Sequence, residues 1–154
     1  MKAPDAKAEK IVATNRKARH EYFVLESFEA GIALTGTEVK SLRRGNVNLT
    51  DGYATVKNGE VWLSGMHVSP YEQGSYANVD PLRDRKLLLH RKEIRRIAGR
   101  VNEAGVTLIP LQVYFKNRTA KVQLAVCRGK RAYDKREDIA RREVERDIRR
   151  QYAR

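Results

Sequence analysis

The chain has 154 residues, 41% of them hydrophobic, which allows one domain with a core but falls below the usual globular share. Its 32 Lys and Arg against 19 Asp and Glu leave a net charge of +13, pointing to a polyanionic partner. No run approaches ~18 uninterrupted apolar residues, MKAPDAKAEK lacks an apolar signal region, and the single Cys127 excludes an internal disulfide or a CxxC metal site. The expectation is a cytoplasmic protein of a reducing compartment, without a membrane span.

Residues 1–9 are small and charged and read as a flexible arm. KIVATNRKARH (Lys10–His20) then surrounds a short IVAT run with Lys10, Arg16, Lys17, Arg19 and His20. EYFVLESFEAGIALTG reads as two strands, Tyr22–Leu25 and Gly31–Leu34, around a turn-like Ser27–Ala30. Glu38–Arg44 fits a two-turn helix with acid early and bases late, stopped by Gly45. Asn58-Gly59 between the alternating runs Tyr53–Lys57 and Glu60–Ser64 marks a hairpin. Residues 69–85, with Pro70, Gly74, Asn78 and Pro81, read as a long loop. A helix is expected from His90, because Ile94, Ile97, Ala98 and Val101 recur on one face before Gly105. Val106–Phe115 and Ala120–Cys127 alternate around residues 116–119 as a second hairpin, with Pro110 at an edge or a bulge.

From Arg128 to Arg154 there are eleven Lys and Arg, six Asp and Glu, and only Ile139, Val144 and Ile148 as larger aliphatics. So few apolar groups cannot offset backbone ordering at ~1–2 kcal/mol per residue, so this tail is no independent domain. It docks on the body or waits for a partner to order it. Strands outnumber helices and no βαβ rhythm appears. The pattern implies a mainly β fold, a small antiparallel barrel with helices packed outside.

Enzyme chemistry finds little support. GxGxxG, GxxxxGK[ST], HExxH and GxSxG are all missing, and His20, His67 and His90 are scattered away from metal-ligand spacing. His20 and Glu21, read as strand neighbours, would point to opposite faces. Cys127 reads as packed core, and Glu26, Glu29, Asp80 and Asp84 fall on presumed turns. Basic residues on an antiparallel barrel instead suit oligonucleotides, and RNA above duplex DNA because no helix-turn-helix or zinc finger is visible. The sparse apolar side of the tail argues against membrane attachment.

Five strings occur in order: NRKARHEYF (Asn15–Phe23), FEAGIALTGTEVKSLRRG (Phe28–Gly45), RDRKLLLHRKEI (Arg83–Ile94), GRVNEAGVTLIPL (Gly99–Leu111) and GKRAYDKRE (Gly129–Glu137). Together they give a chain that resembles the bacterial small protein B family, the SsrA-binding proteins, from about Ile11 onward. The resemblance implies an oligonucleotide-binding-type barrel over 10–129 with about three flanking helices. It also implies a basic tail, 130–154, disordered when free and helical on the ribosome. It implies no enzymatic activity, no cofactor, no metal and no small-molecule substrate. The implied partners are transfer-messenger RNA and the ribosome, through small-subunit rRNA. The implied role is delivery of a tRNA-like domain to the A site of a stalled ribosome, in place of an anticodon stem, for peptide tagging and ribosome rescue. A structural ribosomal protein, or another translation-associated RNA-binding protein, is the competing reading.

By motif, the resemblance places contacts to the tRNA-like domain on Asn15, Glu29 and Leu88, with Lys17, Arg19 and Lys121 as phosphate neighbours. Each of the first three has a plainer alternative. Asn15 hydrogen-bonds a base edge or caps a turn; Glu29 accepts from guanine N–H groups or from a turn backbone; Leu88 packs on an unstacked base or sits in the core. In the tail, Lys130, Arg131, Tyr133, Asp134, Lys135 and Arg136 match the family's ribosome-directed motif. Tyr133 stands where some members have His, which keeps a ring for stacking and loses the imidazole proton chemistry.

Overall fold

The computed structural model describes residues 9–130 and residue 146, with the backbone alone for 74–76. The arm up to residue 8, and Arg131, Tyr133, Asp134, Lys135 and Arg136, lie outside the described residues. Along the chain come β1 (Glu9–Thr14), α1 (Arg16–Glu21), β2 (Tyr22–Ile32), α2 (Gly36–Arg43), β3 (Val47–Asn48), β4 (Tyr53–Lys57) and β5 (Glu60–Ser64). They are followed by β6 (His67–Val68), a 3-10 turn (Glu72–Ala77), β7 (Arg85–Leu88), α3 (Arg91–Val101), β8 (Val106–Lys116) and β9 (Thr119–Gly129).

Local chemistry sets the hairpins. Asn58 and Gly59 both take positive φ, 53° and 73°, the turn whose twist matches that of the strands it joins, and β4 pairs β5 from Tyr53↔Ser64 to Lys57↔Glu60. Asn117 and Arg118 do the same between β8 and β9, with φ of 50° and 69°.

Long-range pairing closes the barrel. Antiparallel ladders run β8-β4-β5-β7-β2-β9, and β9 returns to β8, so the ring has no open edge there. One edge of β8 carries β9; the other is shared by β4, through Ala54↔Leu108, and by β1, from Gln112 to Lys116. Pro110 sits at the seam, where the register shifts between Pro110↔Leu124 and Gln112↔Gln123. Of the two places open to a proline, this is the bulge, where a missing N–H leaves no ladder bond broken. The shift also changes parity: Leu108 points inward before it, Val113 and Phe115 after it.

Inward side chains from every ring strand meet Leu42 of α2 and Ile97 of α3 in one core. A second cluster lies outside the barrel wall, where Ala18 of α1 covers Ile109, Leu111, Ala125 and Cys127. Cys127 is fully buried, and burial pushes its thiol up to about 11, so it is packed core and not a nucleophile.

Three expectations change. First, β2 is continuous from Tyr22 to Ile32, with Ser27–Ala30 inside it. Nine of its residues pair with β9, and a bulge between Val24 and Glu26 absorbs the odd residue. The ladder overrides an acid- and glycine-rich composition that reads locally as a turn. Second, residues 69–85 are not all loop: they hold the 3-10 turn, and Arg85 opens β7. Third, His20 and Glu21 lie on the helix α1, both exposed, and not on a strand.

Candidate nucleic-acid interface

Because β2 lies between β7 and β9, Gly31 faces Leu88 on one side and Lys121 on the other. Gly31 has no side chain to lift its neighbour: a Cβ there would stand 3.2 Å from that of Leu88. Leu88 thus leans over the β2 backbone while remaining 52% exposed, whereas adjacent Leu87 is buried in the core. Two residues before Gly31 on the same outer face stands Glu29, opposite Gln123. Glu29, Leu88 and Lys121 line one open groove of about 610 Å³, together with His90, Glu93 and Arg118. A carboxylate, an apolar side chain and a cation therefore converge on one concavity. Leu88 is not core.

Glu29 is held in place. The Tyr114 hydroxyl donates to its Oε2 at 2.5 Å, and Lys116 Nζ lies 3.5 Å away. The Tyr114 bond, aided by the charges of Lys116 and Lys121, keeps the Glu29 carboxyl below the usual carboxylate range against the opposing effect of burial. Burial, and then Glu29 itself, push the Tyr114 phenol well up, so it remains a donor. On the same face Gln112 donates to Gln123 at 3.0 Å. The β8 bulge aims Gln112 and Tyr114 outward here, beyond the part of the wall that α1 covers.

Asn15 is buried, at 2% exposure, and its amide is committed to the fold. Its Oδ1 accepts from Ala18 N at 3.1 Å, capping α1, while Nδ2 donates to Leu49 O and Pro110 O, both at 3.1 Å. The capping alternative is the arrangement found. The register Thr14↔Gln112, Gln112↔Gln123, Gln123↔Glu29 puts the start of α1 on the same row as Glu29. Three ladder spacings of ~4.8 Å make that roughly 15 Å around the barrel. Lys17 and Arg19 on α1 are exposed but do not line the Glu29 groove; Lys17 instead borders a separate hollow with Asn15, Ala18, Glu21 and Tyr53. Lys130, the last residue of the described body, donates from Nζ to Arg19 O at 3.2 Å and stacks 5.2 Å from the Phe23 ring centroid.

Behind the groove, a charged cluster fixes α2 and β7. Glu38 is 3% exposed, and its side chain accepts from Arg83 Nη2 at 2.6 Å, from fully buried Arg85 Nε at 2.6 Å, and from Thr35 N at 2.9 Å. Arg85 also donates to the carbonyls of Met66, Pro81 and Arg83. Burial raises the Glu38 pKa, but the bonds from Arg83, Thr35 and Arg85 outweigh it and hold the carboxyl below its ordinary value. Sequence reasoning missed both this cluster and Tyr114. The only sequence signal was a Glu in the third helical position, consistent with the capping box found at Thr35.

Among the described residues, no group of three or more His, Cys, Asp or Glu could hold a metal, and no helix is long and apolar enough to cross a membrane. The family model described as "SmpB protein" matches residues 12–154. The chain is 61% identical over 144 residues to the SsrA-binding protein of Acetivibrio thermocellus, covering 93% of this chain and 94% of that one. It is 57% identical over 143 residues to the SsrA-binding protein of Geobacillus thermodenitrificans, covering 93% and 92%. A solved structure described as "tmRNA-SmpB: a journey to the center of the bacterial ribosome" is similar over 77% of this chain and 83% of the other, at 56% identity and a TM-score of 0.66. A match over nearly the full length, with high identity and a shared barrel, places this chain in the SmpB protein family.

Proposed function

We propose that the chain is an RNA-binding adaptor of trans-translation. It binds the tRNA-like domain of transfer-messenger RNA and accompanies it to the A site of a stalled ribosome. There it stands in place of an anticodon stem, so that the nascent peptide is tagged and the ribosome is released. The observation that carries this reading is the convergence of Glu29, Leu88 and Lys121 on one groove, in a chain whose relatives are SsrA-binding proteins.

Each residue has a role that its surroundings support. Glu29, ionised and oriented by Tyr114, accepts hydrogen bonds from base N–H groups. Leu88 offers an exposed apolar surface to an unstacked base, the usual way RNA loops are read. Lys121 on the groove, and Lys17 and Arg19 on α1, neutralise phosphates. Asn15 acts at one remove, by fixing α1 to the barrel wall. Lys130, Arg131, Tyr133, Asp134, Lys135 and Arg136 address small-subunit rRNA, with the Tyr133 ring available to stack on a base. The protein binds and delivers; it catalyses nothing, takes no cofactor and works in the cytoplasm.

Sequencing the RNA that co-purifies with the tagged full chain tests this. One dominant species with a tRNA-like end is expected, and it should be depleted by Glu29→Ala together with Leu88→Ala. Retention on ribosomes through a high-salt wash, with no such species recovered, would favour a structural ribosomal protein instead.

A further inference from the structure

The outer face of α3 carries a charge pattern that the fold itself does not use. Ile94, Ile97 and Val101 turn toward the barrel, while Arg91, Lys92, Arg95 and Arg96 are exposed on the opposite side. Arg96 reaches Glu26 at 2.5 Å, but Arg91, Lys92 and Arg95 have no carboxylate partner among the described residues. Arg91 with Arg95, and Lys92 with Arg96, are like charges four residues apart, which works against the helix. Glu93, the one acid of α3, offers them no relief: its carboxylate accepts from His90 N at 3.0 Å, and the residue lines the groove.

Gly99 lies on that same exposed face, in the third turn. A Cβ there would meet nothing within 4 Å, and the backbone does not take positive φ. Neither packing nor conformation asks for glycine, and alanine would be the better helix former. Both features, unrelieved repulsion and a bare patch of backbone, fit an anionic chain lying close against the helix. The start of α3 is also the lip of the groove, which Leu88, Leu89, His90 and Glu93 help to line.

We propose that Arg91, Lys92 and Arg95, with Gly99 beside them, form a phosphate-tracking strip for the backbone of the same RNA that seats a base in the groove. The strip rests on the RNA reading above and extends it from the groove along α3. It commits to the tRNA-like RNA, not to rRNA.

The test measures binding of the full chain to a transcribed tRNA-like domain across a salt series. Neutralising three phosphate contacts with Arg91→Gln, Lys92→Gln and Arg95→Gln together should flatten the plot of log K against log salt by about 2–3 units. Between 50 and 200 mM salt, that removes about a sixteenfold to sixtyfold difference in affinity. Gly99→Leu, which favours the helix and fills the bare patch, should weaken binding by about tenfold with the unfolding midpoint retained. An unchanged slope in the triple variant, or wild-type affinity in Gly99→Leu, overturns the strip. A slope that changes only for binding to ribosomes assigns these cations to rRNA and overturns it too. Wild-type protein that fails to bind the tRNA-like domain refutes the adaptor reading itself, and the strip with it.

Discussion

Asn15→Ala separates a residue that holds the fold from one that reads RNA. The substitution removes three hydrogen bonds at a site that is 2% exposed. Loss of the cap on Ala18 N costs about 1 kcal/mol. Leu49 O keeps a partner in Gly52 N at 2.8 Å, so the larger penalty falls on Pro110 O, at about 1–3 kcal/mol for an acceptor stripped of its donor. The sum is about 2–4 kcal/mol, a large part of the stability of a domain this size. Denaturant unfolding should show the midpoint falling by that amount with the slope unchanged. Asn15→Ser, which keeps the cap but not the two donated bonds, should recover about 1 kcal/mol. Affinity for the tRNA-like domain, measured where each variant is folded, should change by less than about tenfold, ~1.4 kcal/mol. Stability within about 0.5 kcal/mol of wild type alongside a larger affinity loss would make Asn15 a direct base contact instead.

Tyr114→Phe should leave the barrel folded yet weaken RNA binding, because Glu29 loses the bond that orients it and lowers its pKa. Since the Tyr114 bond holds that pKa down, Glu29 stays ionised, and able to accept from a base, until pH falls below the usual carboxylate range. The pH at which binding fades should accordingly rise in Tyr114→Phe, as read from a titration of affinity against pH. Glu38→Gln should destabilise by about 3–5 kcal/mol in thermal or denaturant unfolding, since it leaves buried Arg85 without its counter-charge. Stability of the wild type should likewise decline in acid as Glu38 protonates, below the unfolded carboxyl value of ~4.3. Deleting residues 131–154 should keep affinity for the tRNA-like domain within about tenfold while abolishing peptide tagging in a reconstituted stalled-ribosome assay.

What could be read from the sequence was what is decided locally. Asn58-Gly59 takes its positive φ whatever surrounds it, and the Ile94, Ile97, Val101 stripe shows its period without a partner. The middle of β2 gave no such signal, because Ser27–Ala30 become strand only by pairing with Ala125, Leu124, Gln123 and Val122. The Glu38–Arg85 bond spans 47 residues and has no local trace. For the interface, family motifs pointed to Glu29, Leu88 and Lys121 singly. Their meeting in one groove depends on β2 lying between β7 and β9, which is a property of strand order. Tyr114 escaped notice because the bulge after Pro110 decides which β8 residues face outward, and alternation alone would not fix that.

In the proposed function, the groove over β7, β2 and β9 reads RNA through an oriented carboxylate. Glu29→Gln tests it most directly, because the amide oxygen still accepts from Tyr114 while the charge and the second acceptor are gone. The measurement is the dissociation constant for the tRNA-like domain, with the unfolding midpoint of the same sample. Affinity should fall about tenfold to a hundredfold, the scale of one good base contact, with the midpoint nearly unmoved. Intact RNA affinity together with a large drop in the midpoint would make Glu29 a structural residue and not an RNA reader.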